Sequence, residues 1–466
     1  MPVQAKASIA FVSASLLSQG LVFITMPIFT RLLSTTDMGY VTTYNAWQTM
    51  LGAVVGLSLA SGSFNIAMMK FANERNEYES SVLTLSFIPA TLFLVIAVIF
   101  GDSLAVVLGL SEHLLILMAV VLFFSPAFNF WIMRQRYEYK YRSVFAVTLC
   151  NSVVGTLLSV VLVLNASATG GMEPSFARLL PVGITLSLWR VVSVVILRRG
   201  RTMFDEKYWR FALITSLPMM IQALSKHVLD VSDRVMIGAI LGESYVGIYG
   251  VLYSVSSISL VFWSAINSSM IPYMFEKLKC GDLASARSVA SKVVVCYAVV
   301  CLLLTILAPE IVALLATSEY ESATYLMPPI AAGIYFTCLH SLYSNLIMYK
   351  EKTIYVMIAT TLAALLNIGL NFCLIPRFGF VAAAYATLIS YVALAALQYC
   401  FSRVVGQRNV LNDREIFFLS VVFVVLCLLI NLIYPYRFAR VAIVVIAILA
   451  GVLFRKRIIE FLRQHK

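Results

Sequence analysis

Long apolar stretches separated by short polar ones recur from one end of the chain to the other. A transmembrane helix needs about 20 mostly apolar residues. On that measure the pattern predicts fourteen spans, at 7–30, 39–66, 80–101, 113–133, 143–165, 178–198, 211–240, 244–275, 288–315, 326–349, 353–375, 379–402, 415–434 and 438–454. The segment Met-Pro-Val-Gln-Ala-Lys leads into an apolar run too long for a signal-peptide core and without a convincing cleavage site, so it reads as the first of these helices. The expectation is an all-α integral membrane protein.

Composition agrees. The 466 residues are 61% hydrophobic and only 12% charged, about half the charge of a soluble domain. The net charge of +12 would suggest nucleic acid in a soluble protein, but the basic residues sit in short loops between apolar spans, where topology explains them. With the N-terminus in the cytoplasm, 26 of the 34 Lys and Arg fall in cytoplasmic segments, 5 on the opposite side and 3 inside spans. That bias is the positive-inside rule for fourteen spans with both termini cytoplasmic, including a basic tail, and it predicts residence in a cytoplasmic (inner) membrane.

Several chemistries are excluded. No loop is long enough for a catalytic domain, so no enzyme is expected. There is no G-x-x-x-x-G-K-[ST], so no P-loop nucleotide. The eight cysteines form no C-x-x-C pair and no Cys/His cluster has metal spacing. No cofactor or metal is expected. Energy for transport would come from an ion gradient, the substrate gradient or a partner.

Charge inside the spans is costly, about 2.5–3.5 kcal/mol per residue on insertion scales. The seventh span nevertheless carries Lys226, His227, Asp230, Asp233 and Arg234. At about 100° per residue the last four lie at roughly 100°, 40°, −20° and 80° from Lys226, all on one face. Lys226, Asp230 and Arg234 form an i, i+4, i+8 ladder that can pair internally. Two readings follow: the charges neutralise one another and fix packing, or they line a cavity. In the second, Lys226 and Asp230 are the deeper candidates for substrate and proton. His227 titrates near neutrality, and Asp233 and Arg234 form a gate or a lobe contact. Arg190, in the sixth span, is either a phosphate ligand in the cavity or a snorkelling residue. Arg31 opens the first external turn, where it would gate the outward mouth. Ser34 and Asp37 in that turn have capping-box spacing. Asn345, Asn367 and Asn371 read chiefly as interhelical hydrogen-bonding groups.

An internal repeat is visible. Spans one and seven each carry a proline, Pro27 and Pro218, and each leads to a turn with a glycine among aromatics, Asp37-Met38-Gly39-Tyr40 and Tyr245-Val246-Gly247-Ile248-Tyr249. The expected organisation is an N-terminal lobe of helices 1–6 at 1–200 and a C-terminal lobe of helices 7–12 at 201–410. Two further helices and the basic tail follow at 411–466.

Four segments carry a family resemblance: RLLSTTDMGYV at 31–41, SLPMMIQALSKHVLDVSDRVMIGAILGESYVGIYGVLY at 216–253, SLYSNLIMYKEKT at 341–353 and LNIGLNFCLIPRFGFVAAAYATLISY at 366–391. In order and spacing the sequence resembles the bacterial polysaccharide flippases (Wzx-type), of the superfamily that also holds MATE multidrug exporters and lipid II flippases. The resemblance implies two six-helix lobes around a cavity with alternating access. It implies as substrate a polyprenyl-pyrophosphate-linked oligosaccharide, as in O-antigen, capsule or exopolysaccharide synthesis, and as partners a polymerase and other assembly proteins. The competing readings are a MATE-like drug exporter and a membrane polysaccharide polymerase or ligase. The span charges, net +1, lean toward an anionic substrate, and the short acidic external loops argue against the polymerase.

Overall fold

The computed structural model describes residues 3–187, 189–408 and 410–453; the basic tail beyond 453 lies outside them. Lipid offers the backbone no hydrogen-bonding partner, so a chain this apolar must satisfy its amides within helices. Every regular element among the described residues is helical. Eight helices are long and apolar enough to cross a membrane unaided. The remaining predicted spans are met by the long helices Val3–Leu32 and Glu206–Leu241, by shorter helices or by pairs of helices in series. The fold is an all-α, multi-pass membrane protein.

The chain forms two compact units, Met1–Gly250 and Val251–Lys466. The first opens with α1 (Val3–Leu32), α2 (Thr35–Val55) and α3 (Phe64–Lys70), followed by α4 (Arg75–Ile99), α5 (Gly101–Leu108), α6 (Glu112–Tyr137) and α7 (Tyr141–Thr169). Then come α8 (Pro174–Ser187), α9 (Trp189–Gly200), α10 (Glu206–Leu241) and the start of α11 (Glu243–Ser256). The predicted capping box forms: Ser34 Oγ accepts from the Asp37 amide at 3.1 Å, and Asp37 accepts from the Ser34 amide at 3.2 Å. The second predicted span does not run unbroken to 66. It stops at Val55, because Leu57 and Ser58 adopt positive φ of 48° and 46°. The chain re-enters as α3, whose Phe64 stacks on Phe130 of α6 at 5.2 Å. Around that pair, Tyr78, Phe71, Tyr208 and Met68 build a core at one end of the unit.

The second unit contains the rest of α11, α12 (Ile258–Lys279), α13 (Leu283–Ile306), α14 (Ala308–Leu315) and α15 (Ser318–Glu321). It continues with α16 (Met327–Tyr349), α17 (Thr353–Phe378), α18 (Val381–Val404), α19 (Asp413–Ile430) and α20 (Arg437–Leu453). The eighth and ninth predicted spans are each broken once, at Ser257 and at Leu307. The buried asparagines pair between or along helices. Asn345 of α16 donates to Asn267 of α12 at 3.1 Å, Asn371 to Asn367 at 2.9 Å, and Asn367 to Ser390 of α18 at 3.3 Å. The final helix pair is tied firmly to this unit. Tyr335 of α16 shares a hydrogen bond with Ser420 of α19 at 3.1 Å and packs its ring 4.1 Å from that of Phe423. Arg440 of α20 grips Glu310 of α14 through Nη2 at 2.6 Å and Nε at 3.1 Å.

Candidate functional site

Helix α10 carries the site. Asp205 caps its first turn by accepting from the Tyr208 amide at 3.2 Å. The helix then runs for 36 residues without interruption, through Pro218, against α2 and α4. At i, i+4 spacing, Lys226 donates through Nζ to Asp230 Oδ1. Arg234 Nη1 donates to the Asp230 carbonyl at 2.9 Å. The ladder read from the helical repeat is thus one string of contacts. Its lower half stays accessible, with about a third of the Lys226 and Asp230 side chains exposed at 32% and 30%. His227 is half-buried beside them. A lysine that is paired and still solvent-accessible can release its carboxylate to meet an incoming anion.

The upper half is closed. Asp233 is fully buried; its Oδ1 accepts from the Arg234 amide at 2.8 Å and its Oδ2 from the Tyr249 hydroxyl at 2.7 Å. That bond joins α10 to α11. Arg234 is also buried. The two remaining candidates lie on other helices, α9 and α1. Arg190 is exposed on α9, and Arg31 is exposed with Nη1 turned back on the Pro27 carbonyl at 2.9 Å.

Three charged groups escape a span-by-span reading. Arg178, the first residue of the sixth predicted span, lies on α8 with its guanidinium 3.7 Å over the Phe29 ring and Nη1 3.2 Å from Ser159 Oγ. Glu79 is buried on α4 and pairs with Arg134 of α6, which also holds Glu138 at 3.0 Å. Glu243 begins α11 and sends its carboxylate to Thr43 of α2 at 2.7 Å. In the polar turns the electrostatics are conventional. The hydrogen bond from Lys207, reinforced by one from Tyr208, holds the Glu74 carboxyl below the usual range. Hydrogen bonds from Ser285 and Lys277 lower Asp282 to about 2. No group of His, Cys, Asp and Glu suited to a metal exists among the described residues.

A model of the family described as polysaccharide biosynthesis protein matches residues 5–277, more than half of the chain. The chain belongs to that family. Residues 218–373 also match the MatE model. The polysaccharide biosynthesis protein is 22% identical over 408 residues to the "Probable low-salt glycan biosynthesis flippase Agl15" of Haloferax volcanii, covering 84% of this chain and 82% of that one. In fold it is similar to the lipid II flippase MurJ in an inward closed conformation, with a TM-score of 0.71 and 14% identity over 97% of this chain and 100% of that one. It is similar also to an inward-facing multidrug resistance MATE family transporter, with a TM-score of 0.64 and 14% identity over 83% and 94% of the two chains. At these identities the structural likeness establishes the fold.

Proposed function

We propose that this protein flips a polyprenyl-pyrophosphate-linked oligosaccharide from the cytoplasmic to the outer leaflet of a cytoplasmic membrane, by alternating access between two six-helix lobes. Membership of the polysaccharide biosynthesis family carries this reading, and the glycan flippase relative supports it. Both termini are cytoplasmic in this proposal, and a polymerase and other assembly proteins take the product onward. The protein acts as a transporter, without a covalent step.

Lys226 is the residue on which the substrate anion depends. A pyrophosphate crossing a low-dielectric interior needs fixed donors in place of its lost water. Lys226 lies about fifteen residues into its predicted span, near mid-membrane at about 1.5 Å per residue. Its ammonium rides a flexible stem and is held by Asp230 when no anion is present. Asp230 and His227, on the same face, are the proposed proton-exchanging pair; Arg190 is a further phosphate ligand. Asp233, Arg234 and Arg31 serve the gate.

Glycan export in a strain lacking the native gene tests this, with membrane abundance measured by immunoblot. Lys226→Ala should abolish export at normal abundance and Lys226→Arg should keep part of it. Full export by Lys226→Ala with Asp230→Ala would remove Lys226 from the substrate path. The MatE match at 218–373 favours a second reading, a drug exporter. Resistance to cationic drugs with no change in surface glycan would select it.

A further inference from the structure

Helices α2 and α11 cross with almost no side chain between them, all within the first unit. A Cβ on Gly39 would overlap the Glu243 carbonyl oxygen, and one on Gly247 would overlap the Thr35 carbonyl oxygen. One on Gly250 would come within 2.7 Å of Thr42. Close backbone approach through small residues is how helices associate in lipid, where no hydrophobic force draws them together. Two side-chain bonds span the seam, Thr35 to Ser244 at 2.8 Å and Thr43 to Glu243 at 2.7 Å.

Glu243 does more than span it. Its Oε1 fills space beside Gly238 of α10, where a Cβ would come within 2.7 Å, and beside Gly109 just after α5, where it would come within 3.3 Å. The carboxylate therefore sits in a socket floored by glycines from separate segments. From α2 it meets Thr43, after α5 it meets Gly109, and from α10 it meets Gly238, while the Glu243 backbone carbonyl lies against Gly39. None of these titrates; the lining of the adjoining cavity holds no Lys or Arg, and its other titratable side chains are Tyr40 and Tyr245. A cavity of about 540 Å³, lined by Thr36, Tyr40, Gly109, Gly238 and Tyr245, opens directly onto it. A carboxylate with one hydroxyl donor, no cation in that cavity's lining and a path to water is more easily seated neutral than charged.

We propose that Glu243 is a proton-binding group that latches the α2–α11 crossing. It takes a proton from water in the adjoining cavity and stays seated while neutral. On ionising it leaves the socket and parts the two helices. The only bond made or broken is the carboxyl O–H, and water supplies and receives the proton. The reading deepens the transport function proposed above, since the crossing lies at the end of the helices assigned to the outside.

Disulfide formation across the seam tests this without reference to any substrate. The pair Thr35→Cys and Ser244→Cys, on a background with the eight native cysteines replaced, is oxidised in membranes between about pH 5 and about pH 8. Yields are divided by those of the same pair carrying Glu243→Gln, which cancels the pH dependence of thiol chemistry. The ratio should fall at least about threefold as the pH rises. Thr43→Val, which removes the donor that favours the ionised form, should move the midpoint to higher pH. A ratio flat with pH, or a midpoint indifferent to Thr43→Val, would overturn the proposal. If the Gln variant does not accumulate, the Thr43→Val comparison alone decides. A titrating seam in a protein that exports no glycan would sink the flippase reading and leave the latch intact.

Discussion

Tyr249→Phe isolates one hydrogen bond and leaves its packing in place. The Tyr249 hydroxyl reaches Asp233 Oδ2 at 2.7 Å, and both residues are fully buried. A bond to a charged acceptor contributes about 1.5–3 kcal/mol in soluble proteins. Interhelical polar pairs in membranes average about 0.6 and reach about 1.7 kcal/mol, because the unfolded chain also finds partners there. The carboxyl acceptor and the lack of exposure put this bond at the top of the membrane range. A loss of about 1.5 kcal/mol is therefore expected, with Asp233→Asn losing about half as much. The measurement is reversible unfolding in mixed micelles, completed by the double variant as a mutant cycle. If Asp233 acts mainly through Tyr249, the coupling energy should approach the cost of Asp233→Asn, about half that of Tyr249→Phe. A cost below about 0.5 kcal/mol, or a coupling near zero, would refute the view that this pair fastens α10 to α11.

Single cysteines on a cysteine-free background should react with an impermeant thiol reagent in intact cells at Ser318→Cys and not at Arg199→Cys; the reverse pattern would invert the topology. Asp282→Ala removes the cap of α13, which accepts from the Ser285 amide at 3.1 Å and from Lys277 at 3.0 Å. The Asp282 carboxyl lies below its ordinary range in the folded protein, at about 2. Its contribution is therefore complete above about pH 4 and lost as the pH falls toward 2. Thermal midpoints of parent and variant should accordingly differ at neutral pH and converge in acid. Arg440→Ala should loosen the attachment of α20 to α14, seen as faster backbone hydrogen exchange in 437–453 with 353–378 unchanged. Equal exchange throughout would show that the Glu310 pair holds nothing.

The spans were legible because lipid allows few alternatives: a backbone in hydrocarbon must be helical for about 20 residues, and charge marks the ends. Even the capping box at Ser34 and Asp37 and the Lys226–Asp230–Arg234 string followed from spacing alone, since both live inside one turn or one helix face. The breaks at 56–63, 257 and 307 were not legible, because the residues there are apolar or small and fit a continuous span equally well. Glu243 was invisible for a different reason. Its socket is built by Thr43, Gly109 and Gly238, and no periodicity within one segment relates those positions. The sixth span was started late, at 178, because α8 begins at Pro174, before the apolar run that marked the span.

Helix α16 is the most enclosed of the candidate spans, buried over 78% of its apolar stretch against 17% for Tyr141–Thr169. Most of that cover comes from α18, and α19 adds to it: its Ser420 and Phe423 occupy the Tyr335 side and its Asp413 accepts from Tyr343 at 3.1 Å. A chain ending near residue 410 would turn the Tyr335 hydroxyl toward acyl chains that cannot answer it, at a cost of several kcal/mol. Residue 335 therefore records the presence of α19. Any shortened descendant would have to exchange this tyrosine for phenylalanine or leucine before, or together with, the loss of its tail.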